Sequence, residues 1–97
     1  MYIDTVNGTR ECELIENHGD KFFCYDSSYS VDGRDITGFR KSTRNEKIIL
    51  KKSNKLSVTC DEVWPTQEGK EWGFVCDDGE NREFVSRKNI STVRSKS

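Results

Sequence analysis

Apolar and polar residues alternate along this chain in short runs, and glycine-containing turns separate the runs. Cys12, Leu14, Phe22 and Cys24 fall at alternate positions around His18-Gly19. Val58, Cys60, Trp64, Trp72, Phe74 and Cys76 do the same around Glu68-Gly69, with Glu62 the polar exception. A period of two marks a half-buried strand, because successive side chains leave a strand on opposite faces. These positions are the expected core, and core packing is the default for Trp64 and Trp72 over an exposed aromatic platform. The other face of the first hairpin carries Ile15, Phe23 and Tyr25, so it is either buried between layers or a contact surface.

Turn signals recur at Asn7-Gly8, His18-Gly19, Asp32-Gly33, Glu68-Gly69 and Asp78-Gly79. Asn-Gly and Asp-Gly suit hairpin turns that need positive φ. The runs between them predict strands at Tyr2–Val6, Thr9–Glu16, Lys21–Asp26, Asp35–Arg40, Lys47–Lys51, Lys55–Trp64, Lys70–Asp77, Arg82–Ser86 and Ile90–Val93. No segment sustains a helical period with caps; residues 41–46 have room for one short helical turn. The prediction is an all-β protein of antiparallel hairpins, either a small barrel or two pseudo-repeated half-barrels.

A repeat is hinted at. Residues 12–26 (CELIENHGDKFFCYD) and 60–78 (CDEVWPTQEGKEWGFVCDD) both open on Cys and acid, turn near Gly, pass through Lys and aromatics, and close on Cys and acid. Arg34-Asp35-Ile36 loosely matches Arg82-Glu83-Phe84. With 97 residues, the chain reads as one domain, 1–97, with pseudo-repeats at about 1–52 and 53–97, or as two hairpins alike by chance.

Residues 71–93, EWGFVCDDGENREFVSRKNISTV, resemble the end of an SH3-like barrel, the superfamily of SH3, Tudor and KOW-type modules. The matching parts are an aromatic strand (Trp72, Phe74), the Asp78-Gly79 turn, a strand through Phe84 and Val85, a one-turn link at Ser86–Asn89, and a last strand at Ile90–Val93. The chain lacks the acidic-aromatic start of SH3 domains, and its link has no proline. The resemblance therefore implies a fold and not a Pro-rich ligand.

Index sums give the cysteines a meaning. Cys12 and Cys24 centre on His18, and Cys60 and Cys76 centre on Glu68, so each pair is expected to face across its own hairpin, within disulfide reach. Spacings of this length do not make a zinc knuckle, and His18 is the only histidine. No metal or other cofactor is expected. No basic segment followed by an apolar stretch comes after Met1, and no apolar run approaches the ~20 residues of a membrane span. The expectation is a soluble cytoplasmic protein with reduced core thiols, disulfides being the alternative.

Composition adds one feature. Net charge is -1 and mean hydropathy is -0.86, but charge sign alternates in blocks. Residues 1–39 are acidic. Arg40, Lys41, Arg44, Lys47, Lys51, Lys52 and Lys55 face only Glu46 in their block. Residues 61–80 are acidic again, and 82–97 basic. Either the blocks pack side by side and neutralise one another, or the 40–55 bases form a face for an acidic partner.

No nucleotide-binding, metalloprotease or nucleophile-elbow motif is present, and His18 sits in a turn, so no catalytic residue is expected. The leading reading is a non-enzymatic inhibitor or adaptor, of the kind phages use to modulate a host factor. It would dock on an acidic protein surface through those seven bases, with Phe23 and Tyr25 as the aromatic contact. The alternative is a nucleic-acid-binding barrel using 40–55, against which stand a pI near 5.8 and Phe39 as the segment's one flanking aromatic.

Overall fold

A computed structural model describes residues 1–25 and 27–96. Among them there are twelve strands, two one-turn 3-10 segments and no α-helix. The strands are β1 (Tyr2–Thr5), β2 (Gly8–Glu11), β3 (Leu14–His18), β4 (Lys21–Cys24), β5 (Ser30–Asp32), β6 (Ile36–Arg40), β7 (Lys47–Lys52), β8 (Ser57–Cys60), β9 (Glu62–Glu68), β10 (Glu71–Asp77), β11 (Arg82–Ser86) and β12 (Ile90–Lys96). The 3-10 turns, Gly33–Asp35 and Arg87–Asn89, precede β6 and β12. The protein is all-β, as the alternation predicts. Residues 41–46, with room for a helical turn, form bends and a turn instead. The predicted strand end at Asp26 lies outside the described residues.

Two antiparallel six-stranded sheets share one core, and neither closes on itself. The first runs β11-β10-β9-β6-β1-β2 and the second β5-β4-β3-β12-β7-β8. Exchanging β1–β6 with β7–β12 converts one order into the other, so the molecule has a pseudo-two-fold axis. Its joint is the 41–46 loop, ahead of the 52/53 boundary read from the sequence. Each set of six strands contributes three strands to each sheet. Two of the chain's five changes of sheet fall at Cys12-Glu13 and at Asp61, where the predicted long strands Thr9–Glu16 and Lys55–Trp64 each break in two.

The core obeys the same exchange. Ile3 pairs with Phe39 and Leu50 with Val93; Val63 pairs with Phe39 and Ile15 with Val93. Phe22 faces Val31 as Phe74 faces Val85, and Ile15 faces Cys24 as Val63 faces Cys76. Met1 and Ile48 oppose Cys12 and Cys60, and Ile36 and Ile90 each follow a 3-10 turn. These matched pairs account for every residue of the buried apolar core. The loose match of Arg34 to Arg82 fails: Arg34 lies in the first 3-10 turn and corresponds to Lys88 in the second.

Register corrects the hairpin faces. His18 pairs with Lys21 and Glu68 with Glu71, so the turns are Gly19-Asp20 and Gly69-Lys70. Only the glycine of each has positive φ, 75° and 60°, which is the type II′ pattern with Gly first. The index sum is therefore three greater than expected, an odd shift that moves one strand's inward set to its other face. Ile15 and Val63 face the core, while Leu14 and Trp64 join Glu62 outside. Asp32-Gly33 is no hairpin turn; Asp32 caps the first 3-10 turn through the backbone N–H of Arg34.

Both cysteine pairs are disulfide-bonded, with Cα separations of 6.0 Å (Cys12–Cys24) and 5.3 Å (Cys60–Cys76). The partners are those the index sums give, but the bridges do not cross a hairpin ladder. Cys12 ends the β2 side of the first sheet and Cys24 belongs to β4 of the second. Cys60 lies in β8 of the second sheet and Cys76 in β10 of the first. Each bridge staples sheet to sheet, and the expectation of reduced thiols is overturned.

Candidate docking faces

The seven bases of 40–55 do not share one face. Arg40 points outward from the first sheet, where it donates to Asp4 (Nη2 to Oδ1, 2.8 Å) and lies 5.3 Å over the Tyr2 ring. Lys41 and Lys47 both reach Asp61, the former at 3.3 Å. Lys52 pairs with Glu83. Arg44, in the 41–46 loop, Lys51, on β7, and Lys55, in the β7–β8 turn, make no ion pair among the described residues. Block-to-block neutralisation therefore takes up part of the segment. The Arg40 hydrogen bond holds the Asp4 carboxyl below its usual range. Hydrogen bonds from Lys47, then Lys41, do the same for Asp61.

The second sheet's outer face does bring predicted residues together. Strands β4, β3, β12 and β7 lie side by side there, and register sets Phe23 beside Glu16, then Thr92, then Lys51. The next row passes from Leu14 through Arg94 to Ile49. Phe23 is 39% and Tyr25 72% exposed. Lys51 and Arg94 are exposed, and Lys21, Lys47 and Lys96 share the outward parity of their strands. Arg94, Lys96 and Lys21 were missed by sequence reasoning because they lie far from 40–55 in the chain; the pairing of β12 with β7 joins the first two to it, and β3 brings Lys21 alongside from β4. The 82–97 basic block was the one signal for Arg94 and Lys96, and Lys21 had none.

The first sheet's outer face has the opposite sign. Glu11, Glu62 and Glu68 stand there exposed and without an ion pair among the described residues, while Asp4 and Asp77 hold Arg40 and Arg82. An apolar row, Trp64–Val75–Phe84, crosses β9, β10 and β11. Between β6 and β9 the ladder is a single bridge, Phe39 to Val63, where the equivalent β3–β12 junction has three. Pro65 explains the difference, since it has no N–H to continue the ladder. The splay leaves an open groove of about 660 Å³ over Gly38, between Trp64 on one side and Arg40, Lys41 and Arg44 on the other.

Arginines cover most of the aromatic surface. Arg10 lies over Tyr29 (4.7 Å), Arg40 over Tyr2 (5.3 Å), Arg82 over Trp64 (5.3 Å) and Arg87 over Trp72 (5.1 Å). Among the described residues no guanidinium covers Phe23 or Tyr25, and Phe23 meets the edge of His18 at 5.2 Å. The His18 Nε2 is 3.2 Å from Glu16 at an exposed site. Among the described residues no group of three or more His, Cys, Asp or Glu side chains is placed to hold a metal. No helix is long and apolar enough to cross a membrane. Comparison with known protein families, curated proteins and solved structures finds no match to this chain.

Proposed function

We propose that this chain is a non-enzymatic binding protein that docks on an acidic surface of a protein partner through the outer face of its second sheet. The observation that carries this is the pair Phe23 and Tyr25, exposed and uncovered by arginine among the described residues, on the same sheet face as Lys51 and Arg94, which make no ion pair among those residues. Rigid aromatic side chains supply large contact area at low entropy cost and dominate binding hot spots. Charges around them steer encounter and set its salt dependence. Of the other predicted contact residues, Lys47 belongs to the edge of this face. Arg40, Lys41 and Lys52 are held by carboxylates, Lys55 lies in the β7–β8 turn, and Arg44 borders the groove on the first sheet's outer face instead.

Each half runs through a hairpin (β1–β2, β7–β8), a three-strand meander (β3–β5, β9–β11), a one-turn 3-10 link and a closing strand (β6, β12). An SH3-like unit ends in the same way, on a meander, a 3-10 link and a last strand. That supports reading the chain as two such units sharing their sheets. The two disulfides favour an oxidising compartment over the cytoplasm. The acidic first sheet and the pI near 5.8 weigh against nucleic acid as the partner.

The test uses poly-glutamate as the acidic probe and duplex DNA as competitor. Phe23→Ala with Tyr25→Ala should weaken poly-glutamate binding, and Lys51→Glu with Arg94→Glu should slow association and flatten its salt dependence. Tighter binding to the duplex than to poly-glutamate, with a steep log-log salt slope, would reverse the assignment. Binding indifferent to both double variants would remove this face from it.

A further inference from the structure

The pseudo-two-fold axis gives the two outer faces the same strand layout, but their charges are opposed. Asp4 on the first face stands where Lys51 stands on the second, and Arg40 stands where Arg94 does. On the first face Asp4 neutralises its arginine. On the second the equivalent residue is a lysine, so Arg94 keeps its charge. Among the described residues, those without an ion pair are mostly acid on the first face (Glu11, Glu62, Glu68, against Arg44 at the groove) and base on the second (Lys21, Lys51, Arg94, Lys96, with Glu16 set against His18). Each face also carries apolar surface: the Trp64–Val75–Phe84 row on one, Phe23 and Tyr25 on the other.

We infer that the acidic outer face of the first sheet docks on the basic outer face of the second sheet in another copy of this chain. Charge complementarity argues for that occupant: the surface that fits the first face is present on the same molecule, over a matching strand layout. A net charge of -1 leaves little repulsion between copies. The faces lie on opposite sides of the shared core, so the contact is heterologous and propagates into open stacks instead of closing as a symmetric dimer. The inference rests on the reading of the second face as a docking surface; the role of the first face is new. Self-docking then competes with the acidic partner for Phe23, Tyr25, Lys51 and Arg94, and dilution or partner binding releases the stack.

Sedimentation velocity on the oxidised full chain tests this, from about 10 μM to about 1 mM, in about 20 mM and about 300 mM salt, where screening lengths differ several-fold. At low salt the average mass should rise with concentration past that of a dimer, and high salt should return it to monomer. Glu62→Lys with Glu68→Lys, or Lys51→Glu with Arg94→Glu, should each weaken self-association at least tenfold. Mixing the two double variants should restore a complex. Circular dichroism of each variant should match the wild type, since these positions are exposed. A wild-type chain monomeric at the highest concentration in low salt, or a mixture that fails to associate, overturns the inference. The first-face variant keeps the partner surface, so it should still bind poly-glutamate after self-association is lost; a wild-type chain that binds poly-glutamate but stays monomeric sinks this inference alone. Poly-glutamate binding unaffected by the second-face variant sinks the proposed function instead.

Discussion

Removing either disulfide should cost about 3 kcal/mol. Cys12–Cys24 and Cys60–Cys76 close loops of 12 and 16 residues. Loop-closure entropy for those lengths gives about 2.8 and about 3.1 kcal/mol at 25 °C. Against the roughly 5–15 kcal/mol that holds a domain of this size together, losing both, about 6 kcal/mol, removes two fifths of the stability at the upper end and all of it at the lower. The paired changes Cys12→Ala/Cys24→Ala and Cys60→Ala/Cys76→Ala avoid leaving a lone thiol among buried residues. With a urea dependence of about 1–3 kcal/mol per molar, each pair should lower the unfolding midpoint by about 1–3 M. Full reduction of the wild type should match the loss of both pairs. A midpoint that moves by less than about 0.3 M on full reduction, with four free thiols counted afterwards, would refute the idea that these bridges constrain the unfolded chain.

Other outcomes follow from packing and charge. Phe22→Ala and Phe74→Ala occupy equivalent, fully buried positions, so each should cost about 3–5 kcal/mol. Their edge-to-face contact at 6.0 Å should appear as a coupling of about 0.5–1.5 kcal/mol in a double-mutant cycle. Lys55 has φ of 72°, so Lys55→Gly should raise the thermal midpoint, by up to about 1 kcal/mol in stability, as left-handed strain is relieved. Glu46, held low by the Ser42 backbone N–H first and also by the Ser42 hydroxyl, and Asp4, held low by Arg40, have depressed carboxyl pKa values in the folded state. Their contribution is complete above the ordinary carboxylate range and is lost as pH falls through and below it. Urea midpoints should therefore be flat near neutrality and fall below about pH 4. Glu46→Gln should make that fall shallower.

Much of the fold was legible because turns and alternation are local. Arg82–Ser86 and the last 3-10 link sit where the sequence places them. The faces of the two central hairpins were not legible, because a turn centred on a single residue, His18 or Glu68, gives an even index sum, whereas the two-residue turns that form give an odd one. Leu14 and Trp64 therefore exchanged places with Ile15 and Val63. The cysteine partners emerged correctly from a register that does not exist, since both bridges pass between sheets at points where the chain crosses over. The docking face was half legible. Phe23 and Tyr25 announce themselves as apolar residues on the wrong side of a hairpin. Arg94 joins Lys51 only through a pairing between β7 and β12, and no local pattern encodes a contact of that span.

The exchange of closing strands has a consequence for how the chain behaves as a polymer. Strand β6 lies between β1 and β9, and β12 between β7 and β3, so each half completes the other's sheet. Neither half holds its own meander without the other's last strand. The molecule is in effect a dimer whose subunits are tethered by residues 41–46. A short tether holds its ends at an effective concentration in the millimolar range, and folding stays unimolecular at any dilution. Cleaving the 41–46 loop would turn the same contacts into a bimolecular equilibrium. With both disulfides internal to their halves in sequence, neither would prevent the fragments from parting.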